Sequence, residues 1–336
     1  MQTIKLKNPA YIVGSFSIAG KREGEGPLGK TFNKVEQDEY LGMKTHEQAE
    51  TEMFKIAMEE AIKSTGLRES DIDVMLSGDL LNQITSSSFA ARDFDVPFIG
   101  LYGACSTMSL SLAVGSLFVA GGFAKNVLVA SGSHFATAER QYRMPLELGS
   151  TRPPTAQWTA TGVGASVLSD KNIDGLPPVK ITTVTFGQVV DWGVVDVNDM
   201  GSAMAPAAAD TIERHLKNTK TRPEDYDAIY TGDLGILGSK ILKKLLKDKK
   251  INISKNHKDC GEMLFNEKQN GTQWQGASGC GCSAITLNGY ILKKLRAGDY
   301  KKILFVSTGA LLSPVSSFQG NTIPGIAHAV VINFGG

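Results

Sequence analysis

Helical and strand-like patterns alternate along this chain. Five stretches have apolar residues at helical spacing, and six short runs are rich in β-branched residues. Such alternation is typical of an α/β fold, in which helices cover a sheet. The predicted helices lie near 47–66, 106–120, 203–218, 236–248 and 283–297. The predicted strands are Val74–Ser77, Asn126–Ser131, Ala165–Leu168, Ala228–Tyr230, Ile303–Ser307 and Ala329–Asn333.

The segment from Val96 to Ala124 carries no charged residue and is long enough to span a bilayer. It also contains a proline, several glycines and several serines, and it ends at Gly121-Gly122. A strand, a turn and a wholly buried helix account for this mixture better than a membrane span. The first residues contain no apolar core of a signal peptide, so we expect a cytoplasmic protein.

Three blocks of the first part of the chain recur later in the same order. Residues 71–81 match 225–235 at an offset of 154, pairing Gly78-Asp79 with Gly232-Asp233. Residues 120–132 match 297–309 at an offset of 177, and residues 164–170 match 328–334 at an offset of 164. Each match alone is weak, but the shared order indicates a duplicated fold. We therefore predict two related halves, near 1–170 and 171–336.

The duplication gives Cys105 a predicted counterpart. The offset of 177 leads from Cys105 to Cys282, so that the runs GACST (103–107) and CGCSA (280–284) become equivalent. Each run would open a buried helix. We expect the two cysteines to lie close to an approximate two-fold axis between the halves.

Charge and cysteine content exclude several classes of protein. The chain has 35 Lys and Arg against 34 Asp and Glu, a formal net charge of +1, which gives no reason to expect a nucleic-acid partner. The basic cluster Lys240–Lys250 has leucines at helical spacing and is interpreted as a solvated helix face, with contact to anionic lipid as the alternative. Four cysteines in 336 residues do not make a disulfide framework.

Metal and cofactor motifs are also weak. His257, Cys260, Cys280 and Cys282 have a C-x-C spacing where structural zinc sites have C-x₂-C, so we expect no metal site. The chain contains no phosphate-binding loop and no dinucleotide fingerprint, so we expect no cofactor.

The cysteine turns and several longer runs resemble the thiolase and ketoacyl-synthase superfamily. There, two βαβαβαββ halves pack in five layers, and a cysteine in a GACS-like turn opens the buried helix of the first half. Within it, the chain resembles the stage V sporulation protein AD family of endospore formers over nearly its whole length. The runs are GDLLNQ (78–83), GACST (103–107), SHFATAERQ (133–141), DMGSAMAPAAADTI (199–212), GALLSP (309–314) and IAHAVV (326–331).

The resemblance implies a binding function. Proteins of this family are implicated in binding dipicolinic acid, alone or as its calcium chelate, and in its uptake into the developing spore. The partners implied are membrane proteins of the same sporulation operon, with peripheral association at the inner membrane of the forespore or spore. By analogy with thiolase-like proteins, a homodimer is expected.

The chemistry expected at Cys105 depends on its neighbours. A helix start lowers the pKa of a thiol, and condensing enzymes use such a cysteine to form an acyl-thioester with the help of a base and an acid. At the positions corresponding to those acid–base groups, this chain has Gly232-Asp233, Ala277 and Asn321. We therefore interpret Cys105 as a vestigial nucleophile that lines a pocket, and expect no catalytic residues. An active acyl-transfer enzyme using Cys105, and a scaffold for membrane partners without a ligand, are the alternatives.

A dianionic aromatic ligand requires cations for its carboxylates and an apolar face for its ring. The predicted ligand-binding residues are Cys105, His134, Arg140, Arg143 and His328. The alternative for His134 is a hydrogen-bonded loop histidine, and for Arg140 a salt bridge to Glu139 or Glu147. The loop 19–30, with Lys21, Arg22 and Lys30, is either a solvated loop or a cover for a pocket mouth.

Overall fold

The computed structural model describes residues 2–142, 152–265 and 275–335, and shows the predicted α/β fold. The strands are β1 (Thr3–Ala19), β2 (Lys34–Val35), β3 (Val74–Gly78), β4 (Phe98–Gly100), β5 (Asn126–Ser133), β6 (Trp158–Thr159), β7 (Gly162–Ser169), β8 (Val179–Thr185), β9 (Ala228–Thr231), β10 (His257–Asp259), β11 (Ala277–Ser278), β12 (Lys302–Ala310) and β13 (Gly325–Phe334).

The helices of the described ranges are α1 (Lys21–Gly24), α2 (His46–Lys63), α3 (Thr85–Ala91), α4 (Thr107–Ala120), α5 (Phe135–Tyr142), α6 (Met200–Thr219), α7 (Gly235–Asp248), α8 (Cys260–Leu264), α9 (Cys280–Thr286), α10 (Leu292–Arg296) and α11 (Pro314–Phe318). A π-helical turn at Leu287–Ile291 joins α9 to α10.

The main sheet has the strand order β10-β9-β12-β13-β8-β1-β7-β5-β3-β4. Its two ends are built alike. On one side β3 is parallel to β4 and β5, while β7 is antiparallel to β5 and β1. On the other side β9 is parallel to β10 and β12, while β13 is antiparallel to β12 and β8. The same pairing pattern thus occurs twice, and the boundary near residue 170 stays a prediction.

One long strand, β1, joins the two sets of strands. Its residues Tyr11–Ala19 pair with β7, and its earlier residues pair with β8. The sequence pattern did not predict β1, because Pro9 and Gly14 interrupt it. Both residues lie where the strand pairing shifts register, between Lys5 and Ala10 and between Ile12 and Gly14. Proline and glycine are tolerated within strands at such irregularities.

Helices and strands are stacked in five layers. The helices α4 and α9 lie in the middle, where Leu112 and Ile285 belong to the largest apolar core. The helices α2 and α3 cover one set of strands through residues such as Phe54, and α6 and α7 cover the other through residues such as Leu242. The uncharged segment before Ala124 forms β4, a turn and the largely buried helix α4, as predicted. Within the described ranges, no helix is long and apolar enough to cross a membrane.

Candidate functional site

Cys105 lies in a tight turn between the end of β4 and the start of α4, and it is only 4% exposed. The preceding residue, Ala104, has a φ of 49°, a left-handed conformation that costs free energy for a residue with a Cβ. Two side chains fix the turn: Ser106 Oγ donates to Gly103 O at 2.6 Å, and Thr107 Oγ1 donates to Ala104 O at 2.7 Å. The position of the thiol is therefore set by a strained, hydrogen-bonded loop.

The carboxyl group of Asp233, from the turn after β9, reaches Cys105 from the other half of the chain. It accepts hydrogen bonds from Thr308 Oγ1 at 2.7 Å, Gly279 N at 3.0 Å and Ser278 Oγ at 3.1 Å, and from the Cys105 thiol. Asp233 is 1% exposed, and burial raises its pKa to about 6 against the opposing effect of these bonds.

This arrangement keeps the Cys105 thiol protonated. Burial raises its pKa well above the usual value, and the negative charge of Asp233 raises it further. The hydrogen bond from Gly279 N acts in the opposite direction but is the smallest of these effects. The helix start alone predicts a lowered pKa, and burial overrides it here.

The counterpart of Cys105 in the second half is Cys280, and the prediction of Cys282 is wrong by two residues. Cys280 follows Gly279, whose φ of 100° matches the positive φ of Ala104. Among charged groups, Asp79 raises the pKa of Cys280 most, just as Asp233 does for Cys105. The Cys280 thiol donates to Gly132 O at 2.9 Å. The pairs Asp79–Cys280 and Asp233–Cys105 are therefore equivalent.

A small cavity of about 20 Å³ adjoins Cys105, which is room for about one water molecule. The hydroxyl group of Tyr142 donates to Leu80 O and is also hydrogen-bonded to Tyr102. These aromatic side chains therefore restrict the cavity. Its described walls are Leu80, Tyr102, Ala104, Cys105, Ala138, Tyr142, Thr159, Met200, Ser278, Gly279, Ala310 and Leu312.

The two predicted histidines lie elsewhere. His134 is buried, with Nε2 3.0 Å from Glu39 O and Nδ1 accepting from Ala136 N at 3.2 Å. His328 accepts from Gly187 N through Nδ1 at 3.2 Å. Burial lowers the pKa of both histidines to about 4, so both are neutral at pH 7. Neither lines the cavity at Cys105.

The two predicted arginines do not line this cavity either, as far as the structure describes them. Arg140 is on α5 and forms a half-exposed ion pair with Glu47, Nη1 to Oε1 3.3 Å, where the sequence suggested Glu139 or Glu147. Arg143 lies outside the described residues. Of the four candidates within the described ranges, Cys105 alone lines the cavity.

Arg152, a cation that the sequence did not predict, is connected to the wall of this cavity through Glu139 and Thr159. Thr159, on the cavity wall, is hydrogen-bonded to Glu139 Oε1 at 2.9 Å. The buried Glu139 is in turn paired with Arg152, Nη1 to Oε2 3.5 Å. No sequence signal identified this chain of contacts, because Thr159 and Arg152 follow a long segment without clear periodicity.

A second, larger cavity of about 250 Å³ involves the loop 19–30. Arg22 packs with its Cζ 3.9 Å from the ring centre of Trp158, which itself stacks on Phe135 at 3.8 Å. Buried Glu23 accepts from Thr161 N at 3.1 Å, and burial raises its pKa to about 7. The loop is thus partly built into the protein. The described walls are Gly20, Lys21, Arg22, Glu23, Glu25, Glu36, Asp38, Glu39, Leu41, Met53, His134, Phe135, Trp158 and Thr161.

The four residues with partial zinc-ligand spacing are used in packing and hydrogen bonding. His257 Nε2 lies 2.9 Å from Thr231 Oγ1, and the Cys282 thiol donates to Gly232 O at 3.3 Å. Among the residues that the structure describes, no group of three or more His, Cys, Asp or Glu side chains is placed to hold a metal ion.

Comparisons with known proteins agree with this architecture. The chain matches the family stage V sporulation protein AD over residues 1–333. It is 43% identical over 335 residues to stage V sporulation protein AD of Bacillus subtilis (strain 168), covering 100% of this chain and 97% of that protein. The chain belongs to the stage V sporulation protein AD family.

Solved structures of thiolase-like proteins share the fold of this chain. Human mitochondrial 3-ketoacyl-CoA thiolase in complex with CoA has a TM-score of 0.59 at 12% identity, covering 99% of this chain and 100% of that one. The 3-oxoacyl-[acyl-carrier-protein] synthase III of Aquifex aeolicus VF5 has a TM-score of 0.54 at 15% identity, covering 96% and 99%. At such identities the likeness establishes the fold, as predicted, and carries no activity with it.

Proposed function

We propose that this protein binds dipicolinic acid and supports its uptake, with calcium, into the developing spore. Membership of a sporulation family supports the biological setting. The observation that carries the proposal is the contact between Asp233 and Cys105. This contact puts a buried carboxyl group next to a thiol that stays protonated, in a fold that condensing enzymes share. Such a centre favours binding over acyl-thioester chemistry.

The charge of the ligand has consequences at this site. A dianion beside Asp233 raises the pKa of that carboxyl further, from about 6 in the free protein, so binding at neutral pH should be accompanied by proton uptake or by a calcium ion. Arg152 and Arg140 are the described cations on the α5 side of the cavity. Because the cavity has room for about one water, the aromatic rings of Tyr102 and Tyr142 would have to move to admit a pyridine ring.

Calorimetric titration with dipicolinic acid, with and without calcium, tests the proposal. Each charge-assisted hydrogen bond to a carboxylate contributes about 1.5–3 kcal/mol. Loss of one arginine contact should therefore weaken binding about ten- to a hundredfold, and we expect this for Arg143→Ala. Arg140→Ala should have a smaller effect, because Arg140 is paired with Glu47 and does not line the cavity. Cys105→Ala should have a smaller effect, and picolinic acid, with one carboxylate, should bind more weakly. Absence of binding at millimolar dipicolinate would refute the proposal.

The position of Asp233 also supports an alternative, an acyl-transfer enzyme. A carboxylate in contact with the Cys105 thiol could accept its proton, and the raised pKa makes Asp233 a better base than an exposed aspartate. Incubation with acetyl and malonyl thioesters distinguishes the two functions. Multiple turnovers that are abolished by Cys105→Ser would favour the enzyme, whereas slow single acylation would not.

The proposed partners follow from the family. We propose a peripheral protein that works with membrane proteins of its operon, and a homodimer formed along the sheet edge at β4. Exposed apolar side chains next to that edge support the dimer: Phe89 is 52% exposed and Ile99 38% exposed. Sedimentation of the parent and of Ile99→Lys tests it, since a charge in such an interface should give monomers. A scaffold without a ligand would form these contacts yet fail the titration.

A further inference from the structure

The positive charge of this nearly neutral protein is concentrated in one part of the chain. Residues 215–258 contain eleven Lys and Arg against five Asp and Glu, whereas the remaining residues contain 24 against 29. One of the five acids, Asp233, is buried in the candidate site and contributes nothing to the surface. Residues 215–258 therefore carry an excess of positive charge, and the remaining residues carry an excess of negative charge.

Helix α7 lies within this segment. Lys240, Lys244 and Lys247 are exposed at a spacing of four and three residues, so they follow one side of the helix. Leu242 and Leu246 on the other side are fully buried in the core shared with α6. The lysine side thus faces solvent because the leucine side holds the helix in place. No ion pair involves these three lysines within the described ranges.

The basic surface continues past the end of α7. Lys217 and Arg222, at the end of α6 and beyond it, share a groove of about 590 Å³ with Lys250, and Glu213 and Glu224 also line this groove. Lys249 beside them is paired with Glu213. We call the lysine side of α7 together with this groove the basic face. It consists of Lys217, Arg222, Lys240, Lys244, Lys247 and Lys250.

We propose that the basic face docks on the anionic headgroups of a lipid bilayer. Nearly all of its charges are lysines, which act as hydrated point charges and suit diffuse attraction to a charged surface. Recognition of nucleic acid usually adds arginine forks and exposed aromatic rings, whereas five of the six cations of the basic face are lysines and residues 235–250 contain no aromatic residue. The proposal rests on charge and exposure and does not depend on the binding of dipicolinic acid.

Vesicle flotation tests the proposal directly. The parent protein should float with protein-free vesicles made of equal parts of phosphatidylglycerol and phosphatidylcholine, and should not float with phosphatidylcholine alone. Each lysine near an anionic surface increases partitioning about fivefold. Lys244→Glu/Lys247→Glu should therefore reduce it at least about twentyfold. Added salt should weaken binding of the parent, because it screens exposed charges over about 10 Å at 0.1 M.

The matched control is Lys125→Glu/Lys171→Glu, which reverses the charge of two exposed lysines outside the basic face. Its binding to vesicles should stay within about threefold of that of the parent protein. Equal loss in this control, no binding by the parent, or tighter binding of the parent to duplex DNA than to vesicles would overturn the proposal. Titration of Lys244→Glu/Lys247→Glu with dipicolinate separates the two proposals. This variant should lose vesicle binding and keep any dipicolinate binding of the parent, so each proposal can fail without the other.

Discussion

Replacing Asp233 by Asn tests whether burial raises the pKa of this carboxyl group as the structure indicates. Asp233 is fully enclosed, and its pKa is raised from 3.8 to about 6 although three hydrogen bonds and the Cys105 thiol stabilise its charged form. The folded protein therefore holds the proton more tightly than the unfolded chain. Stability from this group is greatest below pH 3.8 and is lost as the pH rises through about 6.

The magnitude follows from the two pKa values. A rise from 3.8 to about 6, at about 1.36 kcal/mol per pKa unit, corresponds to about 3 kcal/mol for the full transition. Between about pH 4 and about pH 7, the free energy of unfolding of the parent should fall by about 2–3 kcal/mol more than that of Asp233→Asn. Asn keeps one acceptor, and its amide can donate to the Thr308 hydroxyl group, so the variant should fold.

Urea unfolding of both proteins across this pH range gives the required difference. Other groups that titrate, including the buried histidines, are common to both proteins and cancel. Asp174→Asn is the control, because it makes the same substitution at an exposed position. Parallel pH profiles of the parent and Asp233→Asn would refute the reasoning, since they would show that burial does not raise the pKa of Asp233.

The remaining predictions concern the thiol, the packing and a histidine. Cys105 should react with iodoacetamide far more slowly than a free cysteine, and Asp233→Asn should speed the reaction severalfold by lowering the thiol pKa; rapid alkylation of the parent would contradict this. Gly78→Ala should destabilise by at least about 2 kcal/mol in urea, because its Cβ would lie 1.8 Å from Leu101 O. Burial lowers the pKa of His215 to about 4, so its contribution to folding stability is complete above pH 6.5, and about 3 kcal/mol of it is lost as the pH falls through 4. Over this range, the free energy of unfolding of His215→Gln should therefore fall by about 3 kcal/mol less than that of the parent.

Periodicity predicted the α/β class and the internal repeats predicted two related halves, whereas the five-layered arrangement was implied by the family resemblance. The predicted helix 236–248 is observed at Gly235–Asp248, and the predicted strand Ile303–Ser307 forms the centre of β12. Strong apolar periodicity reports on burial directly, so such elements are found from the sequence. The ends of the elements and the strand β1 were not found, since glycine and proline at bulges break the pattern that periodicity relies on.

The counterpart of Cys105 shows why register between repeats is harder to predict. The offset between the halves is 175 at Cys105 and Cys280 but 177 at the strands β5 and β12, so the second half has two extra residues in between. The π-helical turn at Leu287–Ile291 lies in that interval, and its wider helical winding takes up additional chain. A single sequence contains no signal for such a turn.

The candidate site was predictable only in part. Cys105 was identified from its turn, but Asp79 and Asp233 were noted only as part of the repeated Gly-Asp motif, and Gly232-Asp233 was interpreted as a vacated acid–base position. The contact between Asp233 and Cys105, however, joins residues from different halves, and it depends on how the halves pack. The pairing of Arg140 with Glu47 across α5 and α2 depends on tertiary structure in the same way.

The sharing of β1 between the two sets of strands has a consequence for synthesis of the protein. When the first half of the chain leaves the ribosome, β2 and β7 can already pair with the later residues of β1, but its first residues, from Thr3 to Ala10, have no partner strand until β8 has been made. An unpaired edge can recruit strands from other molecules. The nascent chain is therefore exposed to aggregation until Val179–Thr185 emerges, and slowing of translation before that segment should lower the yield of folded protein.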